Sequence, residues 1–303
     1  PLEGFAAAHL EPAPDLVVVG NAVRRDNVEA LHAEALGLPR LSMPEAMARF
    51  FLADRRPLVV AGTHGKTTTT AMAAWVWTAC GRSPGYLVGG VPLDLPGSFA
   101  RGGGERFIIE GDEYNAAYFD RGAKFLHYRP ETLILTSVEH DHADLYPTPE
   151  SLLAAYSRLI ALVPESGLIV ACGDSAEIRQ LAEAARAPVV FYGEHATNAV
   201  RLLGVPEADS SGVRFRLREE SGDELAVTMP VWGVHNVVNA LAVWAAGRRG
   251  GIEAGELAGA LARFRGVQRR QELLADHGGI VVIDDFAHHP TAVEKTLASM
   301  RMR

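Results

Sequence analysis

A short apolar run that leads directly into a glycine-containing loop is the feature that most limits how this chain can fold. Residues 57–61 (PLVVA) read as a buried strand, and residues 62–67 (GTHGKT) separate this strand from an apolar helix that extends to Ala79. A buried strand followed by a tight loop and a helix is typical of strand–helix–strand units, in which neighbouring strands run parallel. We therefore expect a parallel sheet covered by helices.

The remainder of the chain repeats this alternation of strands and helices. Further strands are predicted at residues 15–19, 107–109, 132–135, 168–171 and 189–191. Further helices are predicted at residues 25–36, after Ser42 and Pro44, and at residues 149–162, 175–185, 235–246 and 254–264. Two antiparallel hairpins are predicted at residues 213–229, on the sheet edge, and at residues 272–283. The pattern predicts an α/β fold with a three-layer, mostly parallel sheet.

Charge and composition exclude several classes of protein. The 303 residues carry a formal net charge of −8, which argues against a nucleic-acid partner, because such proteins usually present a basic face. No apolar run is long enough to cross a bilayer and no leader sequence is evident, so we expect a cytoplasmic protein with no membrane partner. Cys80 and Cys172 lie in apolar surroundings, which predicts no disulfide framework. The sequence leaves the oligomeric state open.

The glycine-containing loop has the residues of a phosphate-binding site. Gly62 and Gly65 permit unusual backbone angles and a close approach of backbone N–H groups to phosphate, at the positive end of a helix. Lys66 would contact the β and γ phosphates, and the Thr67 hydroxyl would bind Mg²⁺. Val60 stands where a standard P-loop has its first glycine, but the strand and helix around the loop favour nucleotide binding.

Acidic residues and histidines follow two of the predicted strands. Residues 110–113 (EGDE) come after one strand, where a carboxylate could hold Mg²⁺, although such clusters are often solvated turns. His140, His142 and Asp144 follow the next strand and are also typical of metal-dependent hydrolases, although Leu145 occupies a position where a further histidine would be expected. A magnesium–phosphate role agrees better with the loop.

A third group of polar residues opens the helix predicted near residue 235. Asn236 and Asn239 lie three residues apart on one helix face, and their amides could recognise the edge of a purine. The alternative is a helix cap with surface amides.

In chain order, these motifs resemble those of the Mur ligase superfamily. The resemblance rests on GTHGKTTT, the E-x-D-E box at residues 110–113, the D-H pair at residues 141–142, H-N-x-x-N at residues 235–239, and R-R followed by D-D-x-x-H-H-P between residues 269 and 290. It covers nearly the whole chain. It implies an ADP-forming acid–amino-acid ligase that uses ATP and Mg²⁺, and it implies no protein nucleophile.

The resemblance also assigns residues. Lys66, Glu110 and His142 would act in catalysis, and Thr67, Glu110 and His142 would hold the metal. The implied ATP site consists of Gly62, Thr63, His64, Gly65, Lys66, Thr67, Thr68, His235, Asn236, Asn239, Arg270 and Asp285.

Within the superfamily, several members hold a second magnesium with a carbamylated lysine. Ser157 stands at that position here, and no lysine occurs between Lys124 and Lys295. The chain therefore resembles the branch that acts on UDP-N-acetylmuramate. Residues 17–27, 110–130 and 284–293 resemble the murein tripeptide ligases of that branch more than its L-alanine ligases.

The implied reaction joins UDP-N-acetylmuramate to L-alanyl-γ-D-glutamyl-meso-diaminopimelate during peptidoglycan recycling in bacteria. The muramoyl carboxylate attacks ATP to give an acyl phosphate, and the tripeptide amine then displaces phosphate. The alternative acceptor is L-alanine, as in peptidoglycan biosynthesis.

The resemblance divides the chain into three parts. Residues 1–54 would belong to an N-terminal UDP-sugar-binding domain, residues 55–266 to a central ATP-binding domain, and residues 267–303 to the start of a C-terminal domain. The flanking parts are expected to be incomplete and Rossmann-like, so we expect this polypeptide to keep an ATP site but to ligate poorly. Two other classes stay open: a zinc-dependent hydrolase that ignores ATP, and a regulatory module that binds ATP without acting on a carboxylate.

Overall fold

A computed structural model describes residues 2–141 and 143–302, and its largest feature is a mixed sheet in which ten strands of these residues take part. The strands of the chain are Val17–Val19 (β1), Arg40–Ser42 (β2), Arg56–Ala61 (β3), Gly85–Leu87 (β4), Phe99–Ala100 (β5), Arg106–Gly111 (β6), Asn115–Ala117 (β7), Asp120–Ala123 (β8), Thr132–Leu135 (β9), Leu168–Cys172 (β10), Val189–Gly193 (β11), Val200–Asp209 (β12), Gly212–Arg218 (β13), Glu224–Met229 (β14), Glu272–His277 (β15) and Ile280–Asp284 (β16). The α-helices are Val28–Ala35 (α1), Met43–Met47 (α2), Lys66–Ala79 (α3), Pro149–Ala161 (α4), Ala176–Ala182 (α5), Val234–Arg249 (α6), Ala254–Leu261 (α7) and Pro290–Met300 (α8).

The order of strands across the main sheet is β14-β13-β12-β11-β10-β9-β3-β6-β4-β5. The seven strands from β12 to β4 in this order pair in parallel, whereas β13, β14 and β5 join the two edges through antiparallel pairs. The prediction of an α/β fold with a mostly parallel sheet is confirmed, and the predicted hairpin of β13 and β14 lies at the sheet edge.

The centre of the sheet is covered on both faces. Leu58, Val59, Val60 and Ala61 of β3 are all fully buried, as are Leu133, Ile134 and Leu135 of β9. Successive side chains of a strand point to opposite faces, so burial of every side chain requires packing on each face. Helix α3 packs against α6 and α7, and α4 packs against α5; strand β10 contacts both α5 and α6.

The junction between β3 and α3 positions the candidate site. Gly65 adopts a left-handed conformation, with φ of 78°, and the helix begins at the next residue, Lys66. Thr67, Thr69 and Thr70 in the first turns of α3 are buried against the sheet. The carboxyl ends of β3, β6 and β9 lie side by side, so the loops that follow them converge.

Smaller units lie on either side of the main sheet along the chain. Strands β1 and β2 form a two-stranded parallel sheet, and α2 begins at a capping box between Ser42 and Glu45. Helix α1 begins three residues later than predicted, because Asn27 caps it by accepting from the amides of Glu29 and Ala30. Strands β15 and β16 form the second predicted hairpin, and α8 follows it.

Candidate active site

The loop between β3 and α3 depends on its two glycines. Gly62 has a φ of 140°, and a side chain there would collide with the Thr136 hydroxyl and the Ser137 backbone. A Cβ atom on Gly65 would lie 2.9 Å from Oδ1 of Asn239 on α6. The positive φ of both residues, 140° and 78°, together with the close approach of backbone at Gly62, explains why glycine suits these positions.

Residues after β9 hold the loop in shape. The Thr136 hydroxyl donates to the carbonyl of His64 at 2.6 Å, and the His64 amide donates to the Ser137 hydroxyl at 2.9 Å. The Thr63 hydroxyl donates to the Glu139 carbonyl and accepts from the Glu139 amide, both at 2.9 Å. The loop is therefore preorganised, with the positive end of α3 behind it, which suits an anion such as phosphate.

Lys66 is held inside this loop. Its Nζ donates to the Gly62 carbonyl at 2.6 Å and to the Thr63 carbonyl at 3.3 Å, and it contacts both carboxylate oxygens of Glu113 at 3.0 and 2.9 Å. The Glu113 side chain is only 2% exposed. Burial raises the pKa of Glu113, and the nearby ammonium group of Lys66 opposes this shift.

Thr67 and Glu110, two of the three predicted magnesium ligands, are hydrogen-bonded to each other. The Thr67 hydroxyl donates to Glu110 Oε1 at 3.0 Å, and the Gly89 amide donates to Glu110 Oε2 at 2.9 Å. A Cβ on Gly89 would lie 2.7 Å from Glu110 Oε2, and a Cβ on Gly90 would lie 3.0 Å from the Thr67 methyl group. The absence of side chains on these two glycines therefore lets the backbone approach Thr67 and Glu110 closely. A hydroxyl and a carboxylate are hard oxygen ligands, and they fit Mg²⁺. The third predicted ligand, His142, lies outside the described residues.

The residues predicted for the nucleoside side lie on α6 and in the segment after residue 267. Asn239 is buried against Gly65, and its amide donates to Asn236 Oδ1 at 3.5 Å. The His235 ring lies 3.2 Å from the side-chain nitrogen of Gln271. Burial is the main cause that lowers the pKa of His235 to about 4, and the charge of Lys295 acts in the same direction. The ring is therefore neutral near pH 7.

Asp285 is tied to the same region through backbone groups. It accepts from the amide of Gln271 at 2.9 Å and from the amide of Ala287 at 2.7 Å. The Arg270 guanidinium lies 5.1 Å from the ring centroid of Phe286. The structure thus links Asp285 to His235 through Gln271, whereas Arg270 contacts an aromatic ring of its own segment.

A group around Glu139 was not predicted from the sequence. Within residues 2–141 and 143–302, one group of three His, Cys, Asp or Glu side chains is close enough to share a metal ion, with ligand atoms within 4.8 Å: His64, Glu139 and His289. Glu139 Oε2 lies 3.3 Å from the His64 ring nitrogen and accepts from Thr291 at 3.1 Å, and the His64 and His289 ring centroids lie 4.7 Å apart. Burial lowers the pKa of His64. The sequence signal was Glu139 itself, which opens the E-H-D-H string.

The hydrolase alternative relied on His140, His142 and Asp144. His140 donates a ring N–H to the Tyr146 carbonyl at 2.8 Å, and neither His140 nor Asp144 belongs to the metal-sized group of the described residues. The loop described above instead suits an anion such as phosphate. None of the helices in the described part of the chain combines the length and apolarity needed to cross a membrane.

Comparison with known proteins identifies the family of the chain. Residues 60–247 match the Mur ligase middle domain. The UDP-N-acetylmuramate–L-alanyl-γ-D-glutamyl-meso-2,6-diaminoheptandioate ligase of Escherichia coli is 39% identical, over 99% of this chain and 65% of that protein. The UDP-N-acetylmuramate–L-alanine ligase of Streptomyces avermitilis is also 39% identical, over 98% of this chain and 63% of that protein. The crystal structure of a murein peptide ligase from Psychrobacter arcticus superposes with a TM-score of 0.84 at 34% identity, and the match covers 99% of this chain and 66% of that one. The chain therefore belongs to the Mur ligase family.

Proposed function

We propose that the complete gene product containing this chain is an ATP-dependent, ADP-forming ligase of the bacterial cytoplasm. It joins UDP-N-acetylmuramate to the recycled tripeptide L-alanyl-γ-D-glutamyl-meso-diaminopimelate through an acyl phosphate. The observation that carries this proposal is the pair formed by the Thr67 hydroxyl and the Glu110 carboxylate, 3.0 Å apart, beside a lysine inside a preorganised phosphate loop.

Each residue of the loop has a distinct task in this reaction. The backbone amides of the loop and the Lys66 ammonium group bind and orient the phosphate chain, which satisfies the main needs of phosphoryl transfer, positioning and charge neutralisation. Thr67 and Glu110, together with His142, would hold Mg²⁺, which supplies positive charge next to the phosphates when it is bound. No side chain acts as a nucleophile, because the substrate carboxylate attacks ATP directly.

The nucleoside part of ATP would bind between α6 and the segment after residue 267. Asn239 borders the loop from α6 and donates to Asn236, and Asp285 is connected to His235 through Gln271. Arg270 would complete this side of the site. We propose that residues 1–54, 55–266 and 267–303 belong to three successive domains, of which the first binds the UDP-sugar and the second binds ATP.

The identity of the acceptor substrate is the most specific part of the proposal. The similar Escherichia coli protein is named for the tripeptide and the Streptomyces avermitilis protein for L-alanine, and both are 39% identical to this chain. The segments around Glu110 and Asp285 resemble the tripeptide ligases, and this resemblance favours the tripeptide.

The test compares acceptors in one assay. The complete gene product is incubated with Mg-ATP and UDP-N-acetylmuramate, and phosphate release is measured with the tripeptide or with L-alanine. We expect clear preference for the tripeptide, with no release by a Lys66→Met variant that controls for contaminating ATPases. Preference for L-alanine would overturn the recycling assignment but keep the ligase. No stimulation by either acceptor would overturn the ligase itself.

A further inference from the structure

We propose that Glu113 is a positioning residue for Lys66: it holds the ammonium group inside the phosphate loop, and when ATP binds it gives up one of its two oxygen contacts to the phosphates and keeps the other. This inference rests on the proposed function and extends it to a residue that would contact neither ATP nor the metal. Its basis is the geometry around one buried carboxylate.

The donors of Lys66 are fully used in the structure. An ammonium group has three N–H donors, and those of Lys66 face the Gly62 carbonyl, the Thr63 carbonyl and both oxygens of Glu113. An incoming phosphate must therefore replace at least one of these partners. The two carbonyls belong to the loop that would enclose the phosphates, so one oxygen of Glu113 is the partner that can be exchanged without remodelling the loop, while the other continues to orient the ammonium group.

Glu113 is well placed to act on Lys66 from a fixed position. Its side chain is 2% exposed, and that of Lys66 is 13% exposed, so solvent screens their attraction only weakly. The Tyr146 hydroxyl donates to the backbone carbonyl of Glu113 at 2.7 Å and fastens the residue after β6. A flexible four-carbon side chain held in this way loses most of its alternative conformations before the nucleotide arrives.

The neighbouring carboxylate provides an internal control. Asp112 pairs with a different lysine, Lys124, at 2.6 Å, and its side chain is 29% exposed. Two adjacent acidic residues thus serve two different lysines, and Lys124 has no contact with the phosphate loop among the hydrogen bonds and ion pairs of the described residues. A neutral amide at position 112 removes a charge close in sequence but leaves the partner of Lys66 intact.

The two effects of Glu113 act in opposite directions on the reaction. Its negative charge repels the phosphates and competes for the ammonium group, so Glu113→Gln should bind nucleotide more tightly. The same change releases Lys66 from its fixed orientation, so the chemical step should slow. A residue needed only for folding would not produce tighter binding together with slower turnover.

The experiment uses the complete gene product and its better acceptor from the assay above. We expect Glu113→Gln to increase the affinity for Mg-ADP, measured by titration calorimetry, by about tenfold, and to lower kcat by about tenfold or more. Asp112→Asn should change either quantity by less than about twofold. Glu113→Asp, which keeps the charge but draws it back, should lower kcat while leaving nucleotide affinity near that of the wild type.

Four results would overturn the inference, and they differ from failure of the proposed function. Unchanged affinity and kcat in Glu113→Gln, or equal effects in Asp112→Asn, would remove any specific role toward Lys66. A higher Mg²⁺ requirement at unchanged nucleotide affinity would make Glu113 a residue of the metal site instead. If Glu113→Gln does not fold, an unchanged kcat in Glu113→Asp would still reject the inference, and it would leave the proposed function untouched. Only a wild-type protein that binds no nucleotide would refute the ATP site itself.

Discussion

The central strands and the β15–β16 hairpin contribute to the same candidate site but are built very differently. Every apolar side chain of β9 is fully buried, whereas Ile280, Val281 and Val282 of β16 are 68%, 44% and 45% exposed. The loop that would bind phosphate therefore rests on a covered sheet. The segment that carries Arg270 and Asp285 meets that body through polar contacts, such as Gln271 with His235 and Thr291 with Glu139, and through the rings of His64 and His289. The phosphate loop and α6 are stabilised by packing, whereas the segment after residue 267 is joined to them by polar contacts.

The connection between the two regions has an unusual backbone. Arg269 and Gln271 both adopt positive φ angles, of 58° and 56°, although neither is glycine. Such angles are uncommon for residues with a side chain and mark positions that the surrounding structure constrains. The Gln271 side chain is anchored by donating to the Ser299 hydroxyl at 2.6 Å. The sharp turn at residues 269–271 thus lies between the packed central region and the segment that is attached to it by hydrogen bonds.

The largest test of this comparison truncates one isoleucine in each region. Ile134 is completely buried and Ile280 is 68% exposed. We expect Ile134→Ala to lower the free energy of unfolding by about 2–5 kcal/mol, because it leaves a cavity in the sheet. Ile280→Ala should change it by less than about 0.5 kcal/mol. Urea denaturation followed by circular dichroism measures both, and equal losses would contradict the contrast between the regions.

A second test uses the pH dependence of stability that comes from His235, which lies where the two regions meet. The pKa of His235 is lowered to about 4 in the folded chain, so the folded state binds fewer protons than the unfolded state below the ordinary pKa of histidine, about 6.5. Stability from this residue is present at pH 7 and is lost as the pH falls from about 6.5 to 4, by about 2–3 kcal/mol.

The measurement is the difference in free energy of unfolding between pH 7 and pH 4.5. We expect this difference to shrink in His235→Gln and to stay unchanged in His288→Gln, since His288 is exposed. An equal pH dependence in the wild type and His235→Gln would mean that His235 is not kept neutral by burial.

The smallest test removes one hydrogen bond between the regions. Thr291→Val deletes the bond from the Thr291 hydroxyl to Glu139, with an expected cost of about 1 kcal/mol. Amide hydrogen exchange should become faster in residues 272–300 and stay unchanged in β3 and β9. Thr291→Ser keeps the hydroxyl and should behave like the wild type. Faster exchange throughout the sheet would show that the two regions unfold as one unit.

The central strands and the β13–β14 hairpin were predictable from local sequence, but strands β12 and β4 were not. The run before Gly62 and the helix after Lys66 have strong signals, because a fully buried strand must be apolar at every position. Strand β12 was missed because Gly204, with φ of 68°, and Pro206 interrupt it, and a bulge lies between Leu203 and Glu207. Gly85–Leu87 is too short for any periodic pattern. These strands are held by their neighbours in the sheet more than by their own sequence.

The candidate site, too, was only partly predictable from the sequence. Lys66, Thr67 and Glu110 come together as expected, because their positions follow from one loop and the adjoining strand ends. The sequence does not indicate that Glu113 is buried against Lys66 while Asp112 faces another lysine, because the turn after β6 decides this. The sequence also does not show that Asp285 accepts from backbone amides, because every residue other than proline has such an amide whatever its side chain.

Glu139 has a consequence beyond its local bonds. Its backbone is bonded to Thr63 in the phosphate loop, and its carboxylate accepts from Thr291 at the start of α8. The two ends of the candidate site therefore share one residue. Thermodynamic linkage is reciprocal, so any ligand that binds the loop more tightly when α8 is docked must favour docking by the same free energy. For such a ligand, binding at the phosphate loop and docking of α8 are thermodynamically coupled.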